Sequence, residues 1–489
     1  MRTGSIALYI ALGVGATGSA MAQEQPGGSK EGGGAPSPGS SISAEESDPA
    51  ASGWAVGGFR FYPQLSVTSL YDSNIYGVNG SLPQTDVGAL RGAVIEETSD
   101  TVGILPPSVA VRSDWDRHEL NVNAGADIAR YRDNSDEDYE DFWLNADGRY
   151  DIDESSNVFG GLGVSRDHED RTSPEGGIGV EPVQYDSLDA HAGYARRIGP
   201  TVMRLGGTAQ RLDYEDGVDA DGSEINNDDR DRDIFALGAR LTYLQSASIR
   251  PFGQVSVETR RYRDDRDDFG FERDSGGYRA AVGVEFDRGA ALNGEVYGGV
   301  LHQSFEDPRF DSVTRPDFGA RLTWQATPYT RLRASVDRSL EETTYWQFDD
   351  GVPDFASSYL YSRAEVLAEH RLTPRTTLSA LASFGQAAYQ DVDRTDDLIG
   401  AGFGVEYKLT KNLLMQFDYR HYQRDSDFRY LDSEQDGKNN IDLMAGNYQR
   451  DQVYLRLKAL LYPVRDTPVV AGTFSGLADR YQAAGVADG

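Results

Sequence analysis

The sequence predicts an all-β protein: a transmembrane antiparallel β-barrel of about 18 strands (16–18), with short periplasmic turns and longer acidic extracellular loops. Three observations predict it. Apolar and polar residues alternate with a period of two over long stretches, the mark of a strand with one greasy and one wet face. The stretches run roughly ten residues or more, longer than the usual five or six of globular sheets. The connections alternate short and long, as they do between the two ends of a barrel. A soluble β-solenoid or sandwich shares the alternation, and it is the rival architecture.

The stretch Asp100–Asn134 shows the unit that the chain repeats: TVGILPPSVAVRS, a polar corner, LNVNAGADIARY, then an acidic run. Leu120, Val122, Ala124, Ala126 and Ile128 share one side, and Asn121, Asn123, Gly125 and Asp127 the other. The first arm lies near Phe59–Tyr71 and the last near Gln452–Leu461. Short turns are expected at Ser113–His118, Asp151–Asn157, Arg196–Thr201, Gln245–Pro251, Asp287–Asn293, Ala326–Thr330, His370–Thr376 and Leu409–Asn412. Acid-rich loops fall between them. The row Ile399, Ala401, Phe403, Val405, Tyr407 against Gly400, Gly402, Gly404, Glu406 is one of the clearest strands, and Tyr278–Phe286 is another. Trp115, Tyr150, Tyr243, Phe286, Trp324, Tyr407 and Tyr462 stand near the ends of apolar rows, where an interfacial aromatic girdle places them.

Bulk properties agree with an exported membrane barrel. Hydrophobic residues make up only 38% and the net charge is −32, which without the 10% aromatics and the alternation would read as disorder. No apolar run past the N-terminus is long enough for a membrane-spanning helix, and barrel strands escape that criterion because their hydropathy averages out. So negative a surface disfavours nucleic acid. The chain has no cysteine, which removes thiol chemistry, disulfides and a lipid anchor on cysteine. Residues 1–22 read as a signal peptide: Arg2, an apolar Ile6–Val14, and Ala20-Met21-Ala22 as cleavage site. Residues 23–53 are a flexible Gly/Ser/Pro-rich periplasmic lead-in, 54–462 the barrel, and 463–489 a C-terminal periplasmic tail. The expected location is the outer membrane of a Gram-negative bacterium.

Three segments, YDSNIYG (Tyr71–Gly77), Ser99–Tyr131 and Asp138–Ile152, carry a resemblance to a family of outer-membrane β-barrel porins. It is strongest over Phe59–Arg171 and continues as pattern to Tyr462. Members of that family are often associated with exopolysaccharide or capsule gene clusters. The resemblance implies a channel aiding export of an exopolysaccharide or other hydrophilic polymer, with an inner-membrane or periplasmic export machinery as partner beside outer-membrane lipid and lipopolysaccharide. A general diffusion porin, or a structural or adhesive barrel, is the alternative.

Candidate site residues are those the alternation turns inward. Arg240, Arg279, Arg321, Arg331, Arg333, Arg456 and Lys458 are expected to face Glu258, Glu285, Glu406, Asp418 and Asp337, forming a charged constriction across a water-filled lumen or, more blandly, cross-strand salt bridges that stiffen the wall. Tyr131, Tyr422 and Tyr454 are inward too, to stack on sugar rings or pack within the wall. In Gly217–Asp233, Asp219, Asp221 and Asp228 fit three places of a calcium loop, but Gly217 occupies the first ligand place, so a weak divalent-cation loop is the expectation. No catalytic residue, resident metal or cofactor is expected: the six histidines are scattered and no G-x-S-x-G elbow occurs.

Overall fold

The computed structural model describes residues 53–78, 97–173, 179–219, 222–244, 246, 248–289, 291–349, 352–427 and 447–464. The segments expected to be a signal peptide (1–22), a lead-in (23–53, apart from residue 53) and a C-terminal tail (463–489, apart from residues 463 and 464) lie outside the described residues. The rest is a closed antiparallel barrel of eighteen wall strands. They are β1 (Phe59–Asp72), β2 (Asp100–Leu105 and Pro107–Ser113), β3 (Glu119–Tyr131), β4 (Tyr139–Asp153), β5 (Ser156–His168) and β6 (Gln184–Ile198). There follow β7 (Thr201–Tyr214), β8 (Arg232–Tyr243), β9 (Ile249–Tyr262), β10 (Ser275–Asp287), β11 (Leu292–Phe305) and β12 (Val313–Thr327). The last six are β13 (Thr330–Glu342), β14 (Ser358–Thr373), β15 (Thr376–Tyr389), β16 (Thr395–Lys408), β17 (Leu413–Ser426) and β18 (Tyr448–Leu460). β2 is one strand in two pieces, because Pro106 has no N–H for the ladder; the register with β1 is the same on either side of it. β18 closes onto β1 from Gln64↔Leu460 to Asp72↔Gln452, leaving the ring without a free end.

All eight short connections fall at one end and the long acidic ones at the other, as the alternation of loop lengths predicts. Met415, Phe417 and Tyr419 on β17 are exposed, whereas Gln416, Asp418 and Arg420 between them are buried. The greasy face is therefore the outer one and the charged face the inner, the reverse of a soluble sandwich. Exposed aromatics ring both ends: Trp115, Tyr150, Tyr243, Trp324 and Tyr407 at the short-turn end, Tyr71, Phe142, Phe235 and Tyr278 towards the loops. Tyr462 departs from the girdle expected for it. It is only 5% exposed and packs edge-on against Tyr62, with ring centroids 5.2 Å apart.

The wall is not zipped along its whole height. β12 and β13 pair from Thr327↔Thr330 to Ala320↔Val336, and there their ladder stops. Above it, β13 stays paired with β14 as far as Glu342↔Ser358, and β12 with β11 as far as Val313↔Gln303. Strand parity puts Leu340 and Leu360 on the outer face with Val366, where lipid would be expected. They are instead 4% and 7% exposed, clustered with Leu301 and Val313 from the inner faces of β11 and β12. Glu342, on the same outer parity, meets the inner-face residues Arg260 (2.9 Å) and Tyr262 (3.1 Å). The tip of β13 and β14 is thus tucked inside the β9–β12 wall, and the barrel overlaps itself like a scroll on its long-loop half.

Candidate functional site

The inner face collects charge because every second residue of each strand turns away from hydrocarbon. On β8 that position is Arg240, 2% exposed; it donates to Glu285 of β10 (2.5 Å) and Glu295 of β11 (2.9 Å), and lies 3.6 Å from the centroid of the Phe252 ring. Two carboxylates and a π face thereby enclose one guanidinium, a geometry that Arg holds better than Lys. Glu258 meets Arg260 at 2.8 Å, Arg279 meets Asp317 at 3.6 Å, Arg321 meets Glu295 at 3.9 Å and Arg333 meets Glu369 at 3.6 Å. Arg331 donates to Gln325 at 3.4 Å, and Arg456 to Thr68 at 3.1 Å. Asp418 is buried two residues from Gln416, the register partner of Arg456. Lys458, Glu406 and Asp337 keep the inward parity and are half-buried.

The structure thus brings Arg240 and Glu285 together, while the partners of Arg279, Arg321 and Arg333 are Asp317, Glu295 and Glu369. Those three acids have the inward parity as well; extending the alternation to every strand finds them.

The expectation of a wet lumen along its full height needs correction. On the long-loop half the inner face is closely packed with buried tyrosines, apolar side chains and arginines. Tyr454 is buried with Leu70, Val102, Ile104, Ala129 and Tyr139, with Tyr131 packed against them. A second cluster joins Val183, Tyr185, Leu212, Tyr214 and Ile234, and a third Tyr359, Tyr361, Ala387 and Tyr389. Tyr422 is buried as well. Towards the short turns, Asp147, His191, Arg331 and Lys458 are half-exposed and the lumen is polar.

Over the clusters the long loops lock together. The run Glu169–Ser173, after β5, folds inward and places the carbonyl of Thr172 3.1 Å from Nη1 of Arg424, which lies on β17. Arg230 grips Glu169 at 2.6 Å, and Arg171 grips Glu137 at 2.6 Å. Arg394 and Arg424 share Asp396, the former at 2.7 Å. Each of these arginines forms charge-assisted pairs in a nearly dry setting, where a carboxylate left alone would be costly. The YDSNIYG segment belongs to this lock. Asp72 accepts from Arg450 at 2.6 Å and from Gln452 at 2.7 Å, and the amide of Asn74 donates to the carbonyls of Val78 and Gln449. Gly77 sits at φ 61° with Thr172 against it, and a Cβ there would come within 2.2 Å of the threonine methyl. Alternation gives no hint of Asp72, Asp396 or Glu169, because they sit where strands run into loops and read as ordinary loop acids.

In the acidic loop after β7, Asp219 accepts from the backbone N–H of Ser223 at 2.8 Å, bracing a small hairpin, and Asp228 opens a single 3-10 turn. Asp221 lies outside the described residues. Among the described residues no cluster of three or more metal-ligating side chains occurs. Burial, with Asp268 close by, pushes Asp229 of this loop up to about 6, and burial likewise lifts Asp231 to about 6.

Among solved structures, the chain is similar to the copper transporter OprC (9% identity, 83% of this chain and 81% of that one, TM-score 0.45). It is similar also to OpdO of Pseudomonas aeruginosa (14% identity, 82% and 98%, TM-score 0.40) and to the siderophore receptor PirA of Acinetobacter baumannii (8%, 81% and 80%, TM-score 0.40). No curated protein sequence matches it. A family profile described as "Putative beta-barrel porin 2" matches residues 48–439, most of the barrel, and the chain belongs to that family of outer-membrane β-barrels.

Proposed function

We propose that the barrel is a gated outer-membrane channel, shut at its outer mouth at rest, through which a hydrophilic polymer of the exopolysaccharide class leaves the cell. The observation that carries the gating is a set of buried arginines, Arg171, Arg230 and Arg394 from the loops and Arg424 from β17, each holding an acid beneath the long loops. The polar half of the lumen at the short-turn end is a vestibule, which this reading places on the periplasmic side with both chain ends. The cargo class is supported by the family resemblance and by the inward tyrosines and paired charges, which suit sugar rings and hydroxyls. On this reading the driving force is supplied by an export machinery contacting that periplasmic face. Residues 1–22 act as the export signal.

Single-channel recording on purified barrel in a planar bilayer tests the gate. Wild type is expected to be nearly silent, and Arg230→Ala combined with Arg424→Ala to open it. Large, steady wild-type conductance would instead mean a general diffusion porin. Deletion of the gene is expected to stop polymer secretion; intact secretion would remove the cargo assignment while leaving the gate in place.

A further inference from the structure

The vestibule is electrically divided. On the short-turn halves of β13–β18 the inward cations include Arg331, Arg333, Lys408, Arg456 and Lys458, against the acids Glu369, Glu406 and Asp418. Across the ring, β3–β6 turn inward Glu119, Asp147, Asp151 and Asp189, and Arg149 among them is held by Glu119 (3.2 Å) and Asp151 (3.1 Å). β4 and β13 stand half a ring apart, so a basic wall faces an acidic one. The charge changes along the axis as well, because the loops at the far end read DNSDEDYE and EDGVDADGSEINNDDRDRD.

The basic wall suits a ligand that runs along the barrel axis. Arg331 and Arg333 stand two residues apart on β13, and so do Arg456 and Lys458 on β18, a rise of about 6.6 Å within each pair. Lys408 lies in one cross-strand row with Lys458, through Leu414 of β17. The lysines of the described residues are Lys408, Lys411 and Lys458, and all of them lie at this end of β16–β18. Lys408 and Lys458 are half-buried, and neither forms an ion pair among the described residues, whereas Arg240 is consumed by two carboxylates. Cations placed only to stiffen a wall would be spent in such cross-strand pairs. The centre of this half is left open by where its rings go. Phe159 lies over Gly193 and Tyr297 over Gly319, each glycine being the ring residue's direct partner on the next strand. A Cβ at either glycine would come within 2.0 Å and 2.5 Å of a ring carbon, so the rings lie along the wall and not across the lumen.

We propose that the polymer is a polyanion, an acidic polysaccharide that enters along β13–β18 with its carboxylates on Lys408, Lys458 and Arg331. Salt screens each charge beyond about 8 Å, so the chain runs against that wall and not down the axis. The basic entrance raises the local concentration of a polyanion, and the acidic outer mouth gives it nowhere to stay bound. The proposal rests on the export reading for its sugar backbone and its side of entry, but its test needs neither an open gate nor secretion.

The absence of cysteine makes a labelling test clean. Ser335→Cys, inward on the basic wall, and Asn145→Cys, inward on the acidic wall, each carry bimane in the whole barrel held in detergent micelles. Oligogalacturonate is the probe, and a neutral malto-oligosaccharide of matched length is its control. Oligogalacturonate is expected to shift the Ser335 label saturably and to leave the Asn145 label unmoved, with the neutral chain binding at least tenfold more weakly. Raising sodium chloride from about 0.05 M to about 0.5 M should weaken binding at least tenfold. Lys408→Gln with Lys458→Gln should weaken it at least fivefold, and Lys411→Gln, on the exposed turn, less than twofold. Equal binding of the neutral chain, or no saturable shift at Ser335, would overturn the polyanion. An equal shift at Asn145, or a loss at Lys411 as large as at the luminal pair, would overturn the placement on the inner wall. Saturable binding by a barrel whose deletion leaves secretion intact would uphold the site and remove the export reading alone. Heat-modifiable migration on a gel verifies that each variant is folded.

Discussion

Replacing Arg240 by alanine isolates what the buried belt contributes. In the native wall its guanidinium is 2% exposed and lies within 2.9 Å of carboxylate oxygens of both Glu285 and Glu295. Alanine leaves two neighbouring carboxylates with only the looser cations Arg250 and Arg321, each 3.9 Å away, on adjacent strands whose register pairs Glu285 directly with Glu295. Breaking a buried pair by removing one partner costs about 3–5 kcal/mol, and loss of the contact with Phe252 adds about 1–2 kcal/mol. A total of about 4–7 kcal/mol is expected. The internal control is Arg211→Ala: its pair with Asp233 is short, 2.7 Å, but Arg211 is half-exposed, and such surface pairs contribute only about 0.2–1 kcal/mol. Both variants are measured by urea titration of tryptophan fluorescence in lipid vesicles. The triple change Arg240→Met, Glu285→Gln, Glu295→Gln should recover most of the loss, because it removes the stranded charges. An Arg240→Ala cost near that of Arg211→Ala would refute the reasoning, since it would mean water fills the belt and screens it.

Three further outcomes follow from the same geometry. Leu340→Ala should cost about 2–5 kcal/mol as a core truncation, and lipid-facing Leu237→Ala distinctly less, measured by the same titration. Asp396→Asn weakens the acceptor shared by Arg394 and Arg424, and should speed proteolytic cutting of the outer loops at least tenfold, read by gel after limited protease exposure. Asp229 and Asp231, both raised to about 6, bind a proton more tightly in the folded mouth than in a free chain, so their contribution to stability is full below about 4 and is lost as pH rises through about 6. The mouth should accordingly resist protease better at pH 5 than at pH 7.5, and Asp229→Asn should flatten that difference.

Much of this protein is readable before any coordinates. Strand parity follows from backbone geometry alone: hydrocarbon accepts only apolar side chains, so a period of two sorts Phe403 from Gly404 and Tyr278 from Arg279 without reference to anything distant. Turn positions follow likewise, since the short polar corners separate strands long enough to cross a bilayer. That is why the barrel, its strand number, its two kinds of loop and the inward setting of Arg240, Glu285 and Arg456 are all legible. Contacts across the ring are another matter. Nothing local tells Glu169 that it will meet Arg230, or Thr172 that it will meet Arg424, because those distances are set by closure of the ring and by loops folding over its end.

The overlap of β13 and β14 inside β9–β12 shows the limit most directly. By its own sequence Leu340 belongs on the lipid face; only the tertiary structure decides that the same outer face lies against Leu301 in a dry seam. Traces of that decision are present in the chain, a proline at 316 near the loop end of a strand and the charges Arg338 and Glu342 on an outward row. They become interpretable once the unpaired edge is seen, for a proline marks where a ladder can end, and not which neighbour has moved away. The one-dimensional pattern determined which faces shun water, and the three-dimensional packing determined where the wall opens, because the first depends on each residue's solvation and the second on the competition between zipping an edge and burying it.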